Sequence, residues 1–391
     1  MWLEAKLGDV IDIKHGWAFK GKYFSEEPTE DIILTPGNFK IGGGFKYDKL
    51  KYYAGEFPSE YLLREGDIVV TMTDLSVNGD TLGYAAKIPS YDGKRFLLNQ
   101  RIGLVKIKSK DVFPDYIYWV MRTRNYQSYV ASTSRGATVK HTSPTLIREY
   151  EFSIPRLTTQ RKIAGILSAY DDLIENNLKR IKLLEEEALC HYELLIKSKT
   201  LHMKNLMLYG KIITGKTPST KNSRFYGADV PFIKTPDMHN QIFIENTQQS
   251  LSSEGANSQT NQFIPSYSLC VSCIGTAGVI GITSKVSQTN QQINSIVFSN
   301  SDYVYYFYCA MKNVKEQLEA LGSNGATFTN VNKSKFENMT VLCPDEEAML
   351  EYAGNVKHRF ALMLNLQRQN NKLREARDIL LPKLMSDETL V

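Results

Sequence analysis

The sequence repeats itself, with segments of the second half following those of the first half in the same order. The corresponding segments include GDIVVTM (66–72) with YSLCVSC (267–273), LNQRIGLV (98–105) with TNQQINSI (289–296), PDYIYWV (114–120) with SDYVYYF (301–307), and RGATVKH (135–141) with NGATFTN (324–330). From the last pair onward the offset stays constant, so that Pro155 corresponds to Pro344 and Ala164 to Ala353. A repeat of this length indicates one structural unit built twice. We therefore expect a tandem of two similar units.

Each unit is predicted to combine a β-rich part with a long helix. Short apolar runs separated by Gly, Pro, Asn and Asp are typical of strands joined by turns, and the segments that follow them have helical periodicity. The predicted β-rich parts are residues 1–155 and 200–344, and the predicted helical regions are 156–199 and 345–391. The fold class expected from this order is α+β.

Both helical regions carry apolar residues at heptad spacing, which is the pattern of a coiled coil. The predicted interface residues are Ile163, Leu167, Ile174, Asn177, Ile181 and Leu184 in the first region, and Val356, Met363, Asn370 and Leu373 in the second. A single polar residue in such a seam commonly fixes its register, and we favour this interpretation of Asn177 over an accident of a wide interface. The second apolar stripe is expected to end near Pro382, because proline cannot continue a helix.

Two apolar stripes in one chain predict that the two helices pair with each other. If they pair antiparallel, the two units are related by an approximate two-fold axis, which makes the fold pseudo-two-fold symmetric. A helix of roughly 36 residues is about 54 Å long at 1.5 Å per residue. The expected arrangement is therefore a spacer of two long antiparallel coiled-coil helices that joins two β-rich units.

Residues 210–217, GKIITGKT, match the nucleotide-binding pattern G-x-x-x-x-G-K-[ST]. A phosphate-binding loop needs a helix that begins at the lysine and directs its N-terminal amides at the phosphates. Here Pro218 follows Thr217 at once, and in the first copy Trp17 and Ala18 stand where Lys216 and Thr217 stand. We therefore predict a short strand that ends in a glycine turn, and no nucleotide site.

The sequence also disfavours an enzyme or a membrane protein. It shows no secretory signal and no run near the roughly 20 apolar residues that span a bilayer, so a cytoplasmic protein is expected.

Cys270 and Cys273 lie in an apolar, strand-like run, and we predict core side chains rather than zinc ligands. No His pair has metal spacing, no nucleophile comes with a recognisable base, and the cofactor loop and tetrapeptide of a DNA methyltransferase are missing. The net charge of +5 permits a nucleic-acid surface.

The turns of both units carry side chains of the types that contact DNA. Asn, Gln, Arg and Lys read base edges in the major groove, whereas Lys, Arg, Ser and Thr anchor phosphates. The predicted DNA-binding residues are Lys40, Lys46, Thr71, Thr73, Arg135, Thr138, Lys140 and His141 in the first unit, and Lys216, Thr217, Lys221, Asn222, Arg224, Asn324, Thr327, Asn330, Asn332 and Lys333 in the second. Their positions recur while their identities differ, as expected of two modules that read two different short sequences. The alternative is that these loops are polar only for solubility.

The aromatic residues of 114–120 and 301–307 are predicted to be core and strand residues.

Several of these segments are similar to the specificity subunits of type I restriction-modification systems. GKTPST (215–220) with YGADVPFIKTPDM (226–238), and GWAFKGKYF (16–24), resemble the starts of that family's target recognition domains, and the repeated GAT resembles their ends. IPRLTTQRKIAGILSAYDDLIENN (154–177) and LLPKLMSDE (380–388) resemble the start and the end of its helical regions. The resemblance covers essentially the whole chain, and the order, duplication and spacing of the motifs make it specific.

The resemblance implies a non-catalytic subunit that recognises double-stranded DNA. Two target recognition domains would each read one half of a bipartite target, and the paired helices would set the gap between the half-sites. It also implies that the chain recruits two methyltransferase subunits and restriction subunits that translocate DNA. This chain would bind no cofactor, whereas the partners would use S-adenosylmethionine, ATP and Mg. The alternatives are a methylation-only or other phage-defence system, and a two-headed protein-binding scaffold.

Overall fold

The structure is a computed structural model, and it describes residues 2–47, 50–74, 76, 79–91, 93–136, 139–322 and 329–386. The chain divides into two compact units. Unit 1 contains Met1–Asp172 and Arg374–Val391, and unit 2 contains Leu173–Leu373. Each of the two longest helices contributes residues to both units. For this reason unit 1 consists of two separate stretches of the chain, whereas unit 2 is one continuous stretch.

Unit 1 is built mainly of short strands. Its elements are β1 (Leu3–Lys6), α1 (Leu7–Val10), β2 (Ile11–His15), β3 (Phe24–Ser25), β4 (Asp31–Ile33), β5 (Lys51–Tyr53), β6 (Leu62–Leu63), β7 (Ile68–Thr71), β8 (Thr73–Asp74), β9 (Ala85–Lys87), β10 (Arg95–Leu97), β11 (Ile102–Ile107), α2 (Pro114–Val120), α3 (Arg124–Ser132), β12 (Lys140–His141), α4 (Pro144–Arg148), β13 (Glu151–Ile154) and the first part of α5 (Leu157–Ser198). The strand β7 has the sequence IVVT and is buried throughout, because both faces of its sheet are covered.

Two larger sheets organise unit 1. The four-stranded sheet has the order β2-β11-β7-β9 and is antiparallel throughout. The five-stranded sheet has the order β3-β5-β4-β10-β6, with β4 and β10 parallel. Two small antiparallel pairs, β1 with β13 and β8 with β12, complete the strands of this unit. One apolar cluster lies between the four-stranded sheet and the helices, and it includes Trp119, Ile163, Leu167 and Leu384.

Unit 2 repeats this arrangement. Its elements after α5 are β14 (His202–Asn205), β15 (Gly210–Thr214), β16 (Tyr226–Gly227), β17 (Val230–Ile233), β18 (Phe243–Ile244), β19 (Ser250–Leu251), α6 (Ser253–Asn257), β20 (Leu269–Ser272), β21 (Ile274–Gly275), β22 (Ile280–Thr283), β23 (Gln288–Thr289), β24 (Ile293–Phe298), α7 (Tyr303–Ala310), α8 (Lys315–Gly322), β25 (Thr329–Asn330), α9 (Lys333–Glu337), β26 (Thr340–Cys343) and α10 (Glu346–Leu384). The order β15-β24-β20-β22 matches β2-β11-β7-β9, and the pairs β14 with β26 and β21 with β25 match the two small pairs of unit 1. The predicted repeat is therefore confirmed at the level of strand pairing.

The long helices α5 and α10 pack antiparallel within each unit. In unit 1 Asp171 of α5 contacts Arg377 of α10, and in unit 2 Asn177 contacts Asn370 while the hydroxyl of Tyr352 donates to the carbonyl of Ala188. The bounds of α5 lie one residue inside the predicted segment 156–199 at each end. The predicted α+β fold of two repeated β-rich units with two long helices is confirmed.

The seam residues predicted from heptad spacing lie on the packed faces of these helices. Ile163 and Leu167 are buried in unit 1, and Ile174, Asn177, Val356, Met363 and Asn370 are buried in unit 2, whereas Ile181, Leu184 and Leu373 are partly buried. The Asn177 Nδ2 atom donates to Asn370 Oδ1 over 3.0 Å, and Asn370 Nδ2 donates to the carbonyl of Ile174 over 3.4 Å. The two buried amides therefore satisfy each other inside the seam.

Two local predictions hold only in part. The helix α10 ends at Leu384, near Pro382 as expected, but Pro382 lies inside the helix, and the Met385 amide still donates to the Leu381 carbonyl over 3.1 Å. Proline removes only one hydrogen bond this close to the end of a helix, and burial of Leu384 favours the extra turn. The aromatic segments at 114–120 and 301–307 contribute core residues, as predicted, but they form the helices α2 and α7 rather than strands.

Within the described ranges, every helix is too short or too polar to traverse a lipid bilayer.

Candidate nucleic-acid interface

Three loops of unit 1 meet at one end of its four-stranded sheet. The strands β2 and β7 end here and the antiparallel strand β11 begins here, because Gly103 pairs with His15 and Ile102 pairs with Thr71. The Gly16 amide donates to the Ile102 carbonyl over 3.1 Å, and the Met72 amide donates to the Arg101 carbonyl over 2.9 Å. We call residues 15–17, 72–74, 99–101, 135–136 and 139–141 the loop end of unit 1.

A short hairpin adds basic side chains to this loop end. The backbones of Arg135 and His141 exchange hydrogen bonds of 2.9 and 2.8 Å, and β12 pairs with β8. The hydroxyl of Thr73 lies 3.1 Å from Nδ1 of His141. Arg135 and His141 are exposed and Lys140 is half-buried. The structure therefore brings together four predicted DNA-binding residues of unit 1.

Asp74 is a buried carboxylate beneath this loop end, and the sequence prediction missed it. Its oxygens accept hydrogen bonds from the Ser76 amide at 2.7 Å and from the amide and the hydroxyl of Thr81. Burial acts to raise the pKa of Asp74, but these hydrogen bonds together hold the pKa below its ordinary value. Asp74 is therefore an ionised acceptor that holds Ser76 and Thr81 in place. An Asp followed by Ser two residues later is a weak turn signal that could have drawn attention to it.

Unit 2 builds the same loop end from different residues. The Gly215 amide donates to the Ile293 carbonyl at 3.0 Å, and the Cys273 amide donates to the Gln292 carbonyl at 2.7 Å, as the aligned Gly16 and Met72 do in unit 1. The pair β21 with β25 places Asn330 opposite Ile274. Residues 215–217, 273–275, 290–292 and 329–330 form the loop end of unit 2. Lys216 and Asn330 are exposed here, and Thr217 is half-buried.

The nucleotide-like stretch is the end of a strand, as predicted. The strand β15 ends at Thr214, and an extended loop rather than a helix follows Lys216. A Cβ atom on Gly215 would lie 2.1 Å from the carbonyl oxygen of Asn290, and one on Gly16 would lie 2.0 Å from that of Asn99. The glycine is therefore required by close backbone approach in both units. Without a helix N-terminus, no amides converge on a phosphate here.

The other predicted residues lie at varied places. The Thr71 hydroxyl donates to the Thr81 carbonyl over 2.6 Å, and this residue is fully buried, so it offers no surface group. Lys40 and Lys46 flank a glycine turn whose Gly44 amide donates to the Ala85 carbonyl of edge strand β9.

In unit 2, the loop after the strand β15 carries further exposed cations. Lys221 and Arg224 are exposed, and the side chain of Asn222 accepts a hydrogen bond from the Arg224 amide at 3.2 Å. Asn332 caps α9 by accepting from the Lys335 amide at 2.9 Å, and Lys333 lies 3.4 Å from a carboxylate oxygen of Glu337. The predicted residues Thr138, Asn324 and Thr327 lie outside the described residues.

The two cysteines of the C-x-x-C sequence are separated by the sheet that contains them. Cys270 and Cys273 are buried and belong to different apolar clusters. Burial raises the pKa of the Cys270 thiol to about 12 and that of Cys273 to about 11. Both are therefore neutral core side chains, as predicted. Among the described residues, no group of three or more His, Cys, Asp or Glu is arranged to hold a metal ion.

The structure defines the class of this protein as a tandem of two β-rich units, each with a polar loop end, supported by two long helices. The chain belongs to the family described as the type I restriction modification DNA specificity domain, whose model matches residues 1–186 and 209–353.

The relatives of this chain carry the same description. It is 44% identical over 188 residues to the type I restriction enzyme HindI specificity subunit of Haemophilus influenzae, a match that covers 48% of this chain and 41% of the relative. It is 24% identical over 314 residues to the MjaIX specificity subunit of Methanocaldococcus jannaschii, covering 74% and 72%. The first match therefore spans less than half the length of that relative.

A solved structure has the same fold. A crystal structure of a type I restriction-modification system S subunit from M. genitalium aligns with a TM-score of 0.58 at 17% identity, covering all of this chain and 97% of the other. At this identity the likeness establishes the fold alone.

Proposed function

We propose that this chain is the DNA-reading, non-catalytic specificity subunit of a type I restriction-modification complex. The observation that carries the proposal is the duplicated loop end. One backbone arrangement is built twice, and it presents Arg135, Lys140 and His141 in unit 1 but Lys216 and Asn330 in unit 2. Equal geometry with different donors suits two modules that read two different sequences. Each unit would then recognise one half of a bipartite target.

The two kinds of contact would come from different parts of each unit. Exposed cations outside the loop ends, such as Lys40, Lys221 and Arg224, are suited to phosphates, which position the protein without reading sequence. The loop ends themselves would face the base edges. The buried Thr71 has no place in this contact set.

The helices α5 and α10 would set the number of base pairs between the two half-sites. Deleting seven residues from each helix shortens it by about 10 Å, which corresponds to about three base pairs of duplex. We expect the spacer of the target to shorten accordingly while both half-sites remain the same. A spacer of unchanged length would contradict this role of the helices.

The partners of the complex would supply the chemistry. Two methyltransferase subunits would bind the chain and use S-adenosylmethionine, and restriction subunits would use ATP and Mg, in the cytoplasm. A methylation-only or other phage-defence complex would use the same chain without the restriction subunits. A two-headed protein-binding scaffold would bind no particular DNA sequence.

The test is sequence-specific DNA binding by the purified chain in complex with its methyltransferase. The target is first determined from methylated sites in cells that contain both subunits, and binding is then compared on that target and on a scrambled duplex. Arg135→Ala and Lys216→Ala are expected to weaken binding to the target and to reduce the preference for it over the scrambled duplex.

Lys106→Ala and Lys211→Ala are the matched controls, because these exposed lysines lie on β11 and β15, four or more residues along the strand from the loop ends. Both are expected to bind like the unmodified chain. Equal affinity for the target and the scrambled duplex would rule out the DNA-reading function and would favour the scaffold.

A further inference from the structure

The turns that lead into β11 and β24 carry polar side chains that the sequence prediction did not include. The unit 1 turn is Asn99-Gln100-Arg101, and the aligned turn of unit 2 is Asn290-Gln291-Gln292. Both belong to the loop ends, because the Arg101 and Gln292 carbonyls accept the amides of Met72 and Cys273 at 2.9 and 2.7 Å. The first glutamine is the same in both units, whereas Arg101 corresponds to Gln292.

Both turns are held in one conformation by backbone contacts. In unit 1 the Gln100 amide donates to the Trp17 carbonyl at 2.9 Å, and the Ile102 amide donates to the Asn99 carbonyl at 2.9 Å. The Asn99 side chain accepts from the Arg101 amide at 3.3 Å. The aligned Asn290 side chain accepts from the Gln292 amide at 3.2 Å. The side chains that follow are therefore presented from a rigid platform, which lowers the entropy cost of binding.

The side chains of these turns are available for an external partner. Gln100, Arg101 and Gln291 are exposed, whereas Gln292 is half-buried and its Oε1 atom accepts a hydrogen bond from Asn290 Nδ2 at 2.9 Å, which leaves its NH2 group as the donor for a partner. Within the described part of the chain, the guanidinium of Arg101 and the amide of Gln100 make no hydrogen bond or ion pair. In unit 2 the Thr217 hydroxyl donates to Gln291 Oε1 at 2.6 Å, which fixes the orientation of that amide and directs its NH2 group away from the contact.

The residue types favour bases over phosphates as that partner. An arginine fork matches the O6 and N7 acceptors of guanine, and a glutamine amide matches N6 and N7 of adenine. Exposed cations suited to phosphates, such as Lys40, Lys221 and Arg224, are present in both units outside the loop ends. A glutamine has no charge to offer a phosphate, yet glutamine occupies three of the four turn positions after Asn99 and Asn290.

We propose that Gln100 and Arg101 in unit 1, and Gln291 and Gln292 in unit 2, are residues that read the bases of the target. Arg101 reads a guanine of one half-site, and the aligned Gln292 reads an adenine of the other. This assignment rests on the proposed function, in which the loop ends bind DNA.

The test exchanges the residue that differs between the two turns. Arg101→Gln gives unit 1 the turn sequence of unit 2, and the methylated sequence is then determined in cells that also contain the partner methyltransferase. We expect one base pair of one half-site to change from G·C to A·T, with a preference shift of about 5- to 150-fold. The other half-site remains the same. Gln292→Arg is expected to produce the reverse change in the other half-site, and Lys106→Gln is the control that alters neither.

The outcomes separate the assignment from the proposed function. If Arg101→Gln and Gln292→Arg leave the methylated sequence unchanged at every position, the assignment is overturned. If Arg101→Gln abolishes methylation, the purified Arg101→Ala complex is compared on duplexes substituted at each base pair. Discrimination lost at one position supports the assignment, whereas a uniform loss on all duplexes with a reduced salt dependence assigns Arg101 to a phosphate and overturns it. Absence of any defined target for the unmodified complex would refute the proposed function itself.

Discussion

Replacing Asp171 by alanine is expected to destabilise unit 1 by about 3 kcal/mol, because the carboxylate neutralises two arginines that lie largely out of solvent. Asp171 on α5 accepts hydrogen bonds from Arg122 Nη1 and from Arg377 Nη1, each at 2.5 Å. The side chain of Arg122 is only 2% exposed, and that of Arg377 is 14% exposed. Arg122 also donates to the Tyr118 hydroxyl at 2.8 Å, so its guanidinium is enclosed by one rigid set of partners.

The magnitude follows from the burial of these charges. Removing one partner of a buried ion pair costs about 3 to 5 kcal/mol, since the other charge is left uncompensated. Asp171 is itself 29% exposed, so water can enter the site, and the lower end of that range applies. Burial acts to raise the pKa of Asp171, but the charges of Arg122 and Arg377 outweigh it and hold the pKa below its ordinary value.

The pH dependence has a definite sign. The folded-state pKa of Asp171 lies below the unfolded value of about 4, so the contribution of the carboxylate is complete above about pH 4. It is lost as the pH falls through the lowered folded-state pKa. The difference in stability between the unmodified chain and Asp171→Ala should therefore be constant near neutral pH and shrink in acid.

Tryptophan fluorescence provides an assay that reports on unit 1. The three tryptophans of the chain are Trp2, Trp17 and Trp119, and all lie in this unit. Trp119 Nε1 donates to the Ser168 hydroxyl of α5 at 3.1 Å, so its environment changes when the helix detaches. With a urea slope of about 2 to 3 kcal/mol per molar, the midpoint of Asp171→Ala should fall by about 1 M.

The neighbouring Asp172→Ala is the matched control, because this exposed carboxylate lies on the same helix. It should change the stability by no more than about 0.5 kcal/mol. A double variant, Asp171→Ala with Arg122→Met, should recover most of the loss, since it removes the more deeply buried of the two charges, while Arg377 keeps its contact with Asp378 at 2.7 Å. A loss below about 1 kcal/mol for Asp171→Ala, or no recovery in the double variant, would refute the argument from buried charge.

Three further substitutions test contacts that position the helices and the loop ends. Asn177→Ala leaves the buried Asn370 amide without its partner and should cost about 1 to 3 kcal/mol in thermal unfolding, whereas leucine at both positions should restore stability. Gly215→Ala places a Cβ atom 2.1 Å from the Asn290 carbonyl oxygen, so a loss of about 1 to 3 kcal/mol is expected; unchanged stability would contradict the close approach. Asp74→Ala should speed amide hydrogen exchange in the loop between β8 and β9 and weaken DNA binding without unfolding unit 1, and equal exchange rates would show that the carboxylate does not order this loop.

The sequence could predict features that depend on pattern and on repetition. The duplication predicted two similar units. Comparison of Gly215 with Gly16 indicated that this glycine has a structural role and does not belong to a nucleotide site. The helices α5 and α10 were predictable because their apolar residues follow a heptad over many turns. These are properties of residue order alone, and no distant contact is needed to recognise them.

Other features depend on contacts between distant residues and could not be predicted in this way. The helix α7 is buried on nearly every side, so it has no apolar periodicity that would distinguish it from a strand. Thr71 stands at the end of an apolar strand, where an exposed turn residue would be expected from the sequence. In the structure its hydroxyl donates to the Thr81 carbonyl. The partner of Asn177 is Asn370 and not the residue at the repeat offset, because antiparallel packing rather than the repeat sets which residues meet.

The two units differ in chemistry at the positions that the repeat alignment gives for Arg122, Asp171 and Arg377. The aligned residues of unit 2 are Cys309, Phe360 and Ala188, which are buried and uncharged. The contact between α5 and α10 at these positions is therefore ionic in unit 1 and apolar in unit 2. If α10 paired with α5 in another register and placed Arg377 against Ala188, its guanidinium would be buried without a carboxylate. That error would cost about as much as the loss expected for Asp171→Ala. We infer that the charged cluster contributes to specificity in helix pairing, because the penalty falls on the wrong registers while the native one satisfies every charge.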